Sequence, residues 1–400
     1  WSKSPNAKAR KILEAAKSPR HAQVKIFNDA SLNEPWYTKT DVEIRDSLWQ
    51  IMDKLEVIAK TYFGNATIPT ETVKKHLLDM DEETVTLIGC VASGGPQGDA
   101  GWYSLFQEDQ KRRALVCAII GKVLVEQVFA HQYFGGDAEN IHQVLKIETN
   151  NRTRDGKSLN PIHPIKILTP PGFERKQKSA TYLQTTRQSP DTPSFSLPPR
   201  FAAYTNRIID TLHTHLLPIY TMLHPPSKPS TRLLPSLSSL ATHASILSLL
   251  MRSDPHTVYY FSPVFKEDIF SRKYMECFNR RQMELTHPRE RKWPASTSEQ
   301  EKRRAQMDEP LTQICMFDGV TAYRVGGWET GGSGRGRGEV VYEDVGGEGE
   351  GIRSRVLSHG WVYCRWGRAR RFVGGRPADE AVVHGEGWKG GFREFREVVG

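Results

Sequence analysis

The densest group of chemically useful side chains lies at 361–372, where arginines are interspersed with aromatic residues. Guanidinium groups bind phosphates and aromatic rings stack on bases, so this combination is typical of sites for single-stranded nucleic acid. Tryptophan and arginine also dominate ordinary protein interfaces. A third interpretation is structural, with the arginines paired to acidic residues at 339–350 and 379–397. The candidate partner-binding or nucleic-acid-binding residues are Trp361, Arg365, Trp366, Arg368, Arg370 and Arg371.

A glycine-rich stretch at 94–101 is the second candidate, because it follows an apolar run that begins at Val85. A strand, a glycine turn and a helix in that order would form a dinucleotide site. Here the glycines do not spell G-x-G-x-x-G, and Pro96 lies inside the turn, so backbone amides could not approach a pyrophosphate in the usual way. The sequence therefore favours a connection between two helices, and it predicts no nucleotide cofactor.

The histidines form no recognisable metal set. His213 and His215 would point about 200° apart on a helix, and no carboxylate or thiol completes a ligand group. His213 and His224 would share a helix face but lie three turns apart, too far to bind one ion. We expect capping or partly buried histidines, with no metal and no catalytic group.

The five cysteines are far apart and include no C-x-x-C pair, which argues against a disulfide framework or a zinc ribbon. Such cysteines usually fill small core positions. A reducing, intracellular compartment is the simplest setting, either cytoplasmic or nuclear. No membrane partner is expected, because no apolar run approaches the ~18–20 residues of a span, and no basic stub with an apolar run marks a secretory signal.

The net charge of +9 is unevenly distributed along the chain. Residues 40–150 carry 10 Lys/Arg against 17 Asp/Glu, a net charge of −7, whereas residues 151–200 carry 9 against 3, a net charge of +6. An acidic surface disfavours phosphates and favours basic segments. We therefore expect the acidic part to bind a basic segment, and the chain's own linker is one candidate.

Helical periodicity is strongest before residue 150. From Asp41 to Phe63 apolar residues recur at spacings of three and four, Thr40 and Glu43 can form a capping box, and Gly64 can end the helix. A short turn is expected at 70–78. Further helices are predicted at 79–91, where a strand at 84–91 is the alternative, at 105–134 and at 137–147.

The second half of the chain is less regular. Eight prolines between 150 and 200 predict a linker or a disordered insertion. Further helices are predicted at 201–223, bent near Pro218, at 237–251 and at 265–285, and residues 286–310 read as a solvated extension. After residue 311, two apolar runs flank Asp318-Gly319 and predict a β-hairpin. Short strands are expected at 339–345 and 356–366.

Taken together, these patterns predict a mainly α fold: a helical bundle with a proline-rich basic linker and a small, glycine-rich, partly β C-terminal region. The expected units are a basic disordered tail (1–35), an acidic helical domain (36–150), a basic proline-rich linker or insertion (151–200), a second helical segment packing on the first (201–310) and a Gly/Arg-rich region with short strands (311–400).

Four stretches resemble segments of a large family of filamentous-fungal proteins of unknown function: residues 43–64, residues 95–129, KYMECFN at 273–279 and GWVYCRWGRARRF at 360–372. The resemblance touches both halves of the chain and leaves the linker uncovered. It implies a helical protein of fungal origin, and it supplies no activity and no functional residue.

The leading hypothesis is a non-enzymatic helical interaction or regulatory protein with a protein partner of unknown identity. The alternative is a nucleic-acid-associated protein that uses the basic tail, the linker and the arginine and tryptophan cluster. An enzyme whose catalytic residues are scattered along the chain would leave no local signature.

Overall fold

A computed structural model describes the chain over residues 39–64, 66–149, 170–187, 196–224, 229–325, 339–342, 352–368 and 392–400. The predicted tail at 1–35, Arg370 and Arg371 lie outside these residues. The described chain is mainly helical with a partly β C-terminal region, as the sequence predicts.

The helices carry the labels α1 to α12 in chain order. They are α1 (Asp41–Phe63), α2 (Thr70–Leu78), α3 (Glu82–Val91), α4 (Asp99–Gln107), α5 (Asp109–Val123), α6 (Ala138–Thr149), α7 (Pro170–Arg187), α8 (Phe201–Leu223), α9 (Leu234–Ser253), α10 (Arg280–Leu285), α11 (Glu299–Ala305) and α12 (Phe395–Val399). A π-helical stretch, Leu124–Phe129, continues α5.

Helix α1 has the predicted bounds. The Thr40 side chain accepts a hydrogen bond from the Glu43 backbone N–H, and the Glu43 carboxylate accepts one from the Thr40 N–H, which completes the capping box. Its apolar stripe, which includes Leu48, Ile51 and Leu55, is fully buried. Helix α3 is also confirmed, so the alternative of a strand at 84–91 is wrong.

The predicted long helix at 105–134 is broken at Glu108, whose backbone is extended. Helix α5 then begins and lies at the centre of the bundle, against α1, α8 and the sheets, so its apolar residues are buried on all sides. Its one fully buried charge is Arg112, which donates hydrogen bonds to the carbonyl oxygens of Phe63, Ala66, Phe106 and Gln107. Arg112 thereby donates to carbonyl groups at the C-terminal ends of α1 and α4, which have no hydrogen-bond partner within their own helices.

The prediction of an unstructured linker at 151–200 is wrong for residues 170–187, which form α7. Phe173, Ala180 and Leu183 are buried, and α7 packs against α6 and α9. The Lys176 ammonium donates to the carbonyl oxygen of Arg252 at 2.6 Å, at the C-terminal end of α9. The basic residues of the linker are therefore used here to satisfy backbone carbonyls, a role that a count of charges does not reveal.

Helices α8 and α9 confirm the prediction of helices at 201–223 and 237–251, and Pro218 is accommodated inside α8. Within the described residues, one segment, Ser230–Ser253, is long and apolar enough to cross a membrane by length and composition alone, and half of its apolar window is buried. Buried core helices pass the same test, and Leu237, Leu240 and Ala244 are fully buried.

The predicted helix at 265–285 is wrong. The aromatic run before it forms β1 (Thr257–Ser262), and the segment itself contains a loop, β2 (Met275–Cys277) and the short helix α10. Residues 275–277 form a strand because they pair with a strand that lies more than 80 residues later in the chain. The periodicity of the local sequence cannot predict such pairing. The charged extension at 286–310 includes α11.

The predicted hairpin around Asp318-Gly319 is also wrong. The strands are β3 (Glu309–Phe317), β4 (Gly319–Val325), β5 (Glu339–Tyr342), β6 (Ile352–Ser358) and β7 (Gly360–Gly367). One sheet has the order β1-β4-β6-β5 and the other β2-β7-β3. Residue 318 thus carries the chain from one sheet to the other, and β3 and β4 pair with β7 and β6. A Cβ atom on Gly319 would lie 3.1 Å from the Gly360 nitrogen, so this bend needs two small residues in close approach.

Strand β7 is the central strand of the three-stranded sheet, which explains the composition of the cluster at 361–372. Trp361 and Tyr363 face the main core, whereas Val362 and Cys364 face a second, smaller core on the other side. Both faces of the strand are therefore covered, and its aromatic residues fill cores.

Candidate peptide-docking groove

A groove on the helical unit is formed by α3, α4 and the connection between them, which is the glycine-rich stretch singled out in the sequence. The connection is confirmed as a link between two helices. A Cβ atom on Gly101 would lie 1.9 Å from the Gly94 carbonyl oxygen, and one on Gly94 would lie 2.6 Å from the Trp102 ring. Gly98 has a φ of +57°. These glycines bring the backbone close enough for Trp102 to form one wall of the groove.

The C-terminal segment 392–400 occupies this groove. Phe395, the first residue of α12, is 1 % exposed. Its ring centroid lies 4.8 Å from that of Trp102 and 6.0 Å from that of Phe106. The two aromatic residues of α4 and the final helix therefore form one aromatic cluster, with Gly89 of α3 as its floor, where a Cβ would lie 3.8 Å from the Phe395 Cβ.

Polar contacts fix the orientation of the segment. The Trp102 indole N–H donates a hydrogen bond to the Arg393 carbonyl oxygen at 2.8 Å. Arg393 forms an ion pair with Asp99, and Arg396 forms one with Glu82. Both carboxylates belong to the acidic unit identified in the sequence. The acidic unit therefore binds two arginines of the chain itself, and both belong to the C-terminal segment.

A lysine from the loop after β1 contacts both partners of the groove. The Lys266 ammonium donates to the Gly89 carbonyl oxygen at 2.6 Å and to the Glu394 carboxylate at 3.1 Å. Because Gly89 belongs to α3 and Glu394 to the segment, Lys266 holds the occupant against one wall. The segment thus carries both basic and acidic side chains, and side chains at the groove form ion pairs with both kinds.

Among the predicted site residues that the structure describes, Arg365 contacts the docked segment. Its guanidinium carbon lies 5.7 Å from the centroid of the Phe392 ring, a cation–π distance. The same guanidinium forms a largely buried ion pair with Glu267, in which the side chains are 13 % and 10 % exposed. Glu267 has a φ of 67°, in the left-handed region that only a few non-glycine residues adopt. Arg365 therefore connects β7, the loop after β1 and the docked segment.

The other described members of the predicted cluster are Trp361, Trp366 and Arg368, and each has contacts of its own. Trp361 is 6 % exposed and packs edge-on against Phe278, so its ring faces are not accessible for stacking on a base. The Trp366 indole N–H donates to the Met283 carbonyl oxygen at 3.1 Å. Arg368 lies near Asp308, where its charge opposes the rise in that carboxyl's pKa that burial causes.

The histidines have the structural roles expected from the sequence. His215 is buried, and its Nδ1 lies 2.7 Å from the Thr84 hydroxyl, while burial lowers its pKa. His213 and His224 bond to Ser230 and to the Tyr62 carbonyl oxygen, respectively. No group of three or more His, Cys, Asp or Glu side chains within the described part of the chain is arranged to hold a metal ion.

A separate cleft of about 570 Å³ lies between the helical unit and the three-stranded sheet. Glu108 and Asp109 line one side of it, and Gln282 and Tyr363 the other. The Tyr363 hydroxyl donates to the Gln282 side-chain oxygen at 2.8 Å, and burial raises the pKa of this tyrosine. The cleft is open and holds no buried polar group without a partner, so it supplies weaker evidence for a ligand than the occupied groove does.

No protein-family model, curated protein or solved structure matches the chain in sequence or in fold. The family resemblance and the origin it implies therefore stay predictions.

Sequence reasoning missed Phe395 and the groove that it fills. A signal is present: Phe395, Val398 and Val399 have the three-and-four spacing of one helix face, between charged residues. Five residues are too few for periodicity to stand out, and the partner residues in α4 lie almost 300 positions earlier. Only the folded chain shows them together.

Proposed function

We propose that this chain is a non-enzymatic helical interaction and regulatory protein whose α3–α4 groove binds short amphipathic segments, with its own C-terminus as the resident ligand. The observation that carries the proposal is the insertion of Phe395 between Trp102 and Phe106, framed by the Asp99 and Glu82 ion pairs. A single aromatic anchor with flanking charge pairs is a common way for short helical motifs to bind grooves.

The free energy of docking is small enough for the C-terminal segment to dissociate from the groove and bind again. Phe395 is the one fully buried residue of the segment, and 393, 394, 396 and 397 are exposed. Burying a phenylalanine contributes about 1.5–3 kcal/mol, and exposed ion pairs add about 0.2–1 kcal/mol each. Together these contributions favour the docked state by about 2–4 kcal/mol. The undocked state then makes up roughly 0.1–3 % of the chains, a minor population that a competing partner can select.

The partner class follows from the occupant. A competing segment needs an aromatic residue at the Phe395 position and a basic residue on each side that can reach Asp99 and Glu82. It also needs one acceptor for the indole N–H of Trp102, which any backbone carbonyl supplies.

Weak binding in trans tests the proposal directly. A peptide of residues 388–400 with 4-fluorophenylalanine at position 395 would be added to the chain truncated after residue 391, and its 19F line width measured. We expect broadening with the truncated chain and much less with the full chain, whose groove is occupied. The control peptide carries the fluorine at Phe392 and alanine at position 395, and it should stay sharp. A sharp signal from the first peptide with the folded, truncated chain would contradict the proposal.

Nucleic-acid binding stays a prediction for the basic tail and for the part of the linker outside the described residues. The burial of Trp361 removes one of the two tryptophans on which the stacking hypothesis depends. A gel shift with short single-stranded RNA and DNA tests what remains.

A further inference from the structure

A small core on the outer face of the three-stranded sheet is rich in sulfur. Its buried members are separate from the main hydrophobic core, and Phe270 and Trp366 pack around them. These members are Met275, Cys277, Met283, Val362 and Cys364. Four of the five carry sulfur, which is an unusual composition for a core that leucine or valine would fill equally well.

Strand register places the two thiols on one face. Cys277 is aligned with Val362 in the parallel pair of β2 and β7, so Cys364 lies two residues further along the neighbouring strand. With the usual strand spacing and rise, the Cα atoms of such residues lie about 8 Å apart. Disulfides need about 4.4–6.8 Å. Both cysteines are free thiols, and both belong to the same small buried cluster.

Asn279 fixes the positions of the two cysteines. Its side-chain oxygen accepts a hydrogen bond from the Cys364 backbone N–H at 2.8 Å and one from the Cys277 thiol at 3.3 Å. Its side-chain NH₂ group donates to the Cys364 carbonyl oxygen at 2.8 Å. One buried amide thus orients both thiol-bearing residues, in the way that an outer-shell group orients the ligands of a metal.

We propose that Cys277 and Cys364 together bind one copper(I) ion, with the thioethers of Met283 and Met275 as additional sulfur donors. Metal–thiolate bonds of about 2.3 Å place two sulfurs on one ion about 4 Å apart. One ion can therefore join two thiols on the same face of neighbouring strands, even where the Cα atoms are too far apart for a disulfide.

The donor set selects the metal. Thiolate and thioether ligands favour copper(I), whereas zinc sites are completed by histidine, carboxylate or further cysteines. The buried members of this cluster offer sulfur alone. An iron–sulfur cluster would need four cysteines. The apolar shell of Phe270, Val264 and Trp366 would also shield copper(I) from water.

Binding releases protons and leaves the oxidation states unchanged. Two thiols and one Cu⁺ ion give a bis-thiolate complex and two protons. No electron is transferred.

The short helix α10 covers one side of the cluster and contributes Met283 to it. Cys277 and Met283 are 6 % and 8 % exposed, respectively, so this side of the cluster lies near the surface. The Trp366 indole hydrogen bond to the Met283 carbonyl oxygen joins this helix to β7.

Competition with a coloured copper(I) chelator tests the proposal. The full chain, purified without oxygen in its reduced form, would be titrated against the copper(I) complex of bicinchoninate. We expect the chain to remove one equivalent of copper(I) and to release protons to the solution. Cys277→Ser and Cys364→Ser should each abolish the transfer, and Met283→Leu, which conserves volume, should weaken it about tenfold through loss of one soft donor.

Cys90→Ser is the matched control, because Cys90 is exposed and lies outside the cluster. It should leave the stoichiometry and affinity unchanged. Circular dichroism of each variant establishes that it is folded, and Met283→Leu keeps the test decisive if a serine variant does not fold. Failure of the folded full chain to remove copper(I), or transfer that persists in Cys277→Ser or depends on Cys90, would overturn the proposal. The result is independent of whether the groove binds peptides.

Discussion

The rings of Trp102 and Phe395 pack against each other at a centroid distance of 4.8 Å and a tilt of 39°, although one belongs to the first helical unit and the other to the last turn of the chain. The Trp102 indole N–H also donates to the backbone next to that turn, at the Arg393 carbonyl oxygen. Trp102 thus contacts both the Phe395 ring and the backbone of the segment. If the segment leaves, both contacts are lost together, which makes Trp102 a reporter of docking.

Phe395→Ala should reduce the free energy of unfolding less than Phe106→Ala does, although both rings belong to the same cluster and are almost fully buried. Phe106 lies inside the bundle, so its loss should cost about 3–5 kcal/mol. Phe395 can leave with its segment, and the loss is then limited to the docking free energy of about 2–4 kcal/mol. Urea denaturation measures both values. A larger loss for Phe395→Ala than for Phe106→Ala would contradict the view that the segment is detachable.

Reversal of the Asp99–Arg393 pair should weaken docking, and a double reversal should restore part of it. In Asp99→Arg, carboxypeptidase should remove residues from the C-terminus faster by about two- to fivefold, since an exposed ion pair contributes about 0.2–1 kcal/mol. Asp99→Arg combined with Arg393→Asp should recover part of the protection. Recovery stays partial because Arg393 also donates to the Glu397 carbonyl oxygen. Equal digestion of all three chains would exclude a role for this pair.

Arg365→Met should destabilise the chain by up to about 3–5 kcal/mol, because it leaves the largely buried Glu267 carboxylate without its partner. The double variant Arg365→Met with Glu267→Gln removes both charges and should recover a large part of the loss. Thermal unfolding of both variants measures the coupling. If the double variant is no more stable than the single one, the ion pair does not account for the structural role of Arg365.

Arg112→Leu should destabilise the chain severely, by about 3–5 kcal/mol, because four backbone carbonyls lose their buried partner. The matched control is Arg280→Leu, which breaks an exposed pair with Glu284 on α10 and should cost less than about 1 kcal/mol. Denaturant unfolding compares them. Similar values for the two arginines would show that Arg112 does not hold the ends of α1 and α4 together.

The raised pKa of Asp318 predicts how the free energy of unfolding depends on pH. Burial raises the pKa of this carboxyl to about 6 from 3.8, against the nearby charge of Lys122, while Glu126 adds to the rise. The folded chain therefore binds the proton more tightly than the unfolded chain, and the contribution of Asp318 to stability falls as pH rises from about 4 through about 6. Asp318→Asn should be more stable than the parent chain at pH 7 by about 2–3 kcal/mol.

The advantage of Asp318→Asn should disappear below about pH 4, where both states of the parent are protonated. Lys122→Met should have the opposite effect at neutral pH, since it removes the charge that stabilises the carboxylate. Chemical denaturation between pH 4 and pH 8 follows all three chains. A constant difference between Asp318→Asn and the parent across this range would contradict the assignment.

Helices whose signals are local could be predicted from the sequence. Helix α1 has its predicted bounds because the Thr40 cap, the apolar stripe and Gly64 all lie within one stretch. Helices α8 and α9 were found by the same periodicity. Helix α7 was missed because prolines dominate the composition around it, although Pro170 and Pro171 lie in the first turn, where a helix tolerates proline.

Features that depend on distant partners could not be predicted in this way. Strand β2 has three residues and exists because β7 lies beside it, and the bend at Asp318 is decided by the pairing of β4 with β6. The sequence at 361–372 allows either a binding surface or a structural role. Pairing of β7 between β2 and β3 places Trp361 and Tyr363 in a core, and no local pattern records that pairing. The groove combines residues from both ends of the chain, so no local pattern describes it.

Exchange of the Trp102 indole proton with solvent deuterium tests the central claim most directly. This proton is buried and bonded to the Arg393 carbonyl oxygen, so it exchanges only when the C-terminal segment leaves. We expect exchange through a local opening of about 2–4 kcal/mol that is nearly independent of low urea concentrations, and faster exchange in Phe395→Ala. Exchange of this proton only by global unfolding, with the free energy shown by the buried amides of α5, would contradict a detachable ligand in the groove.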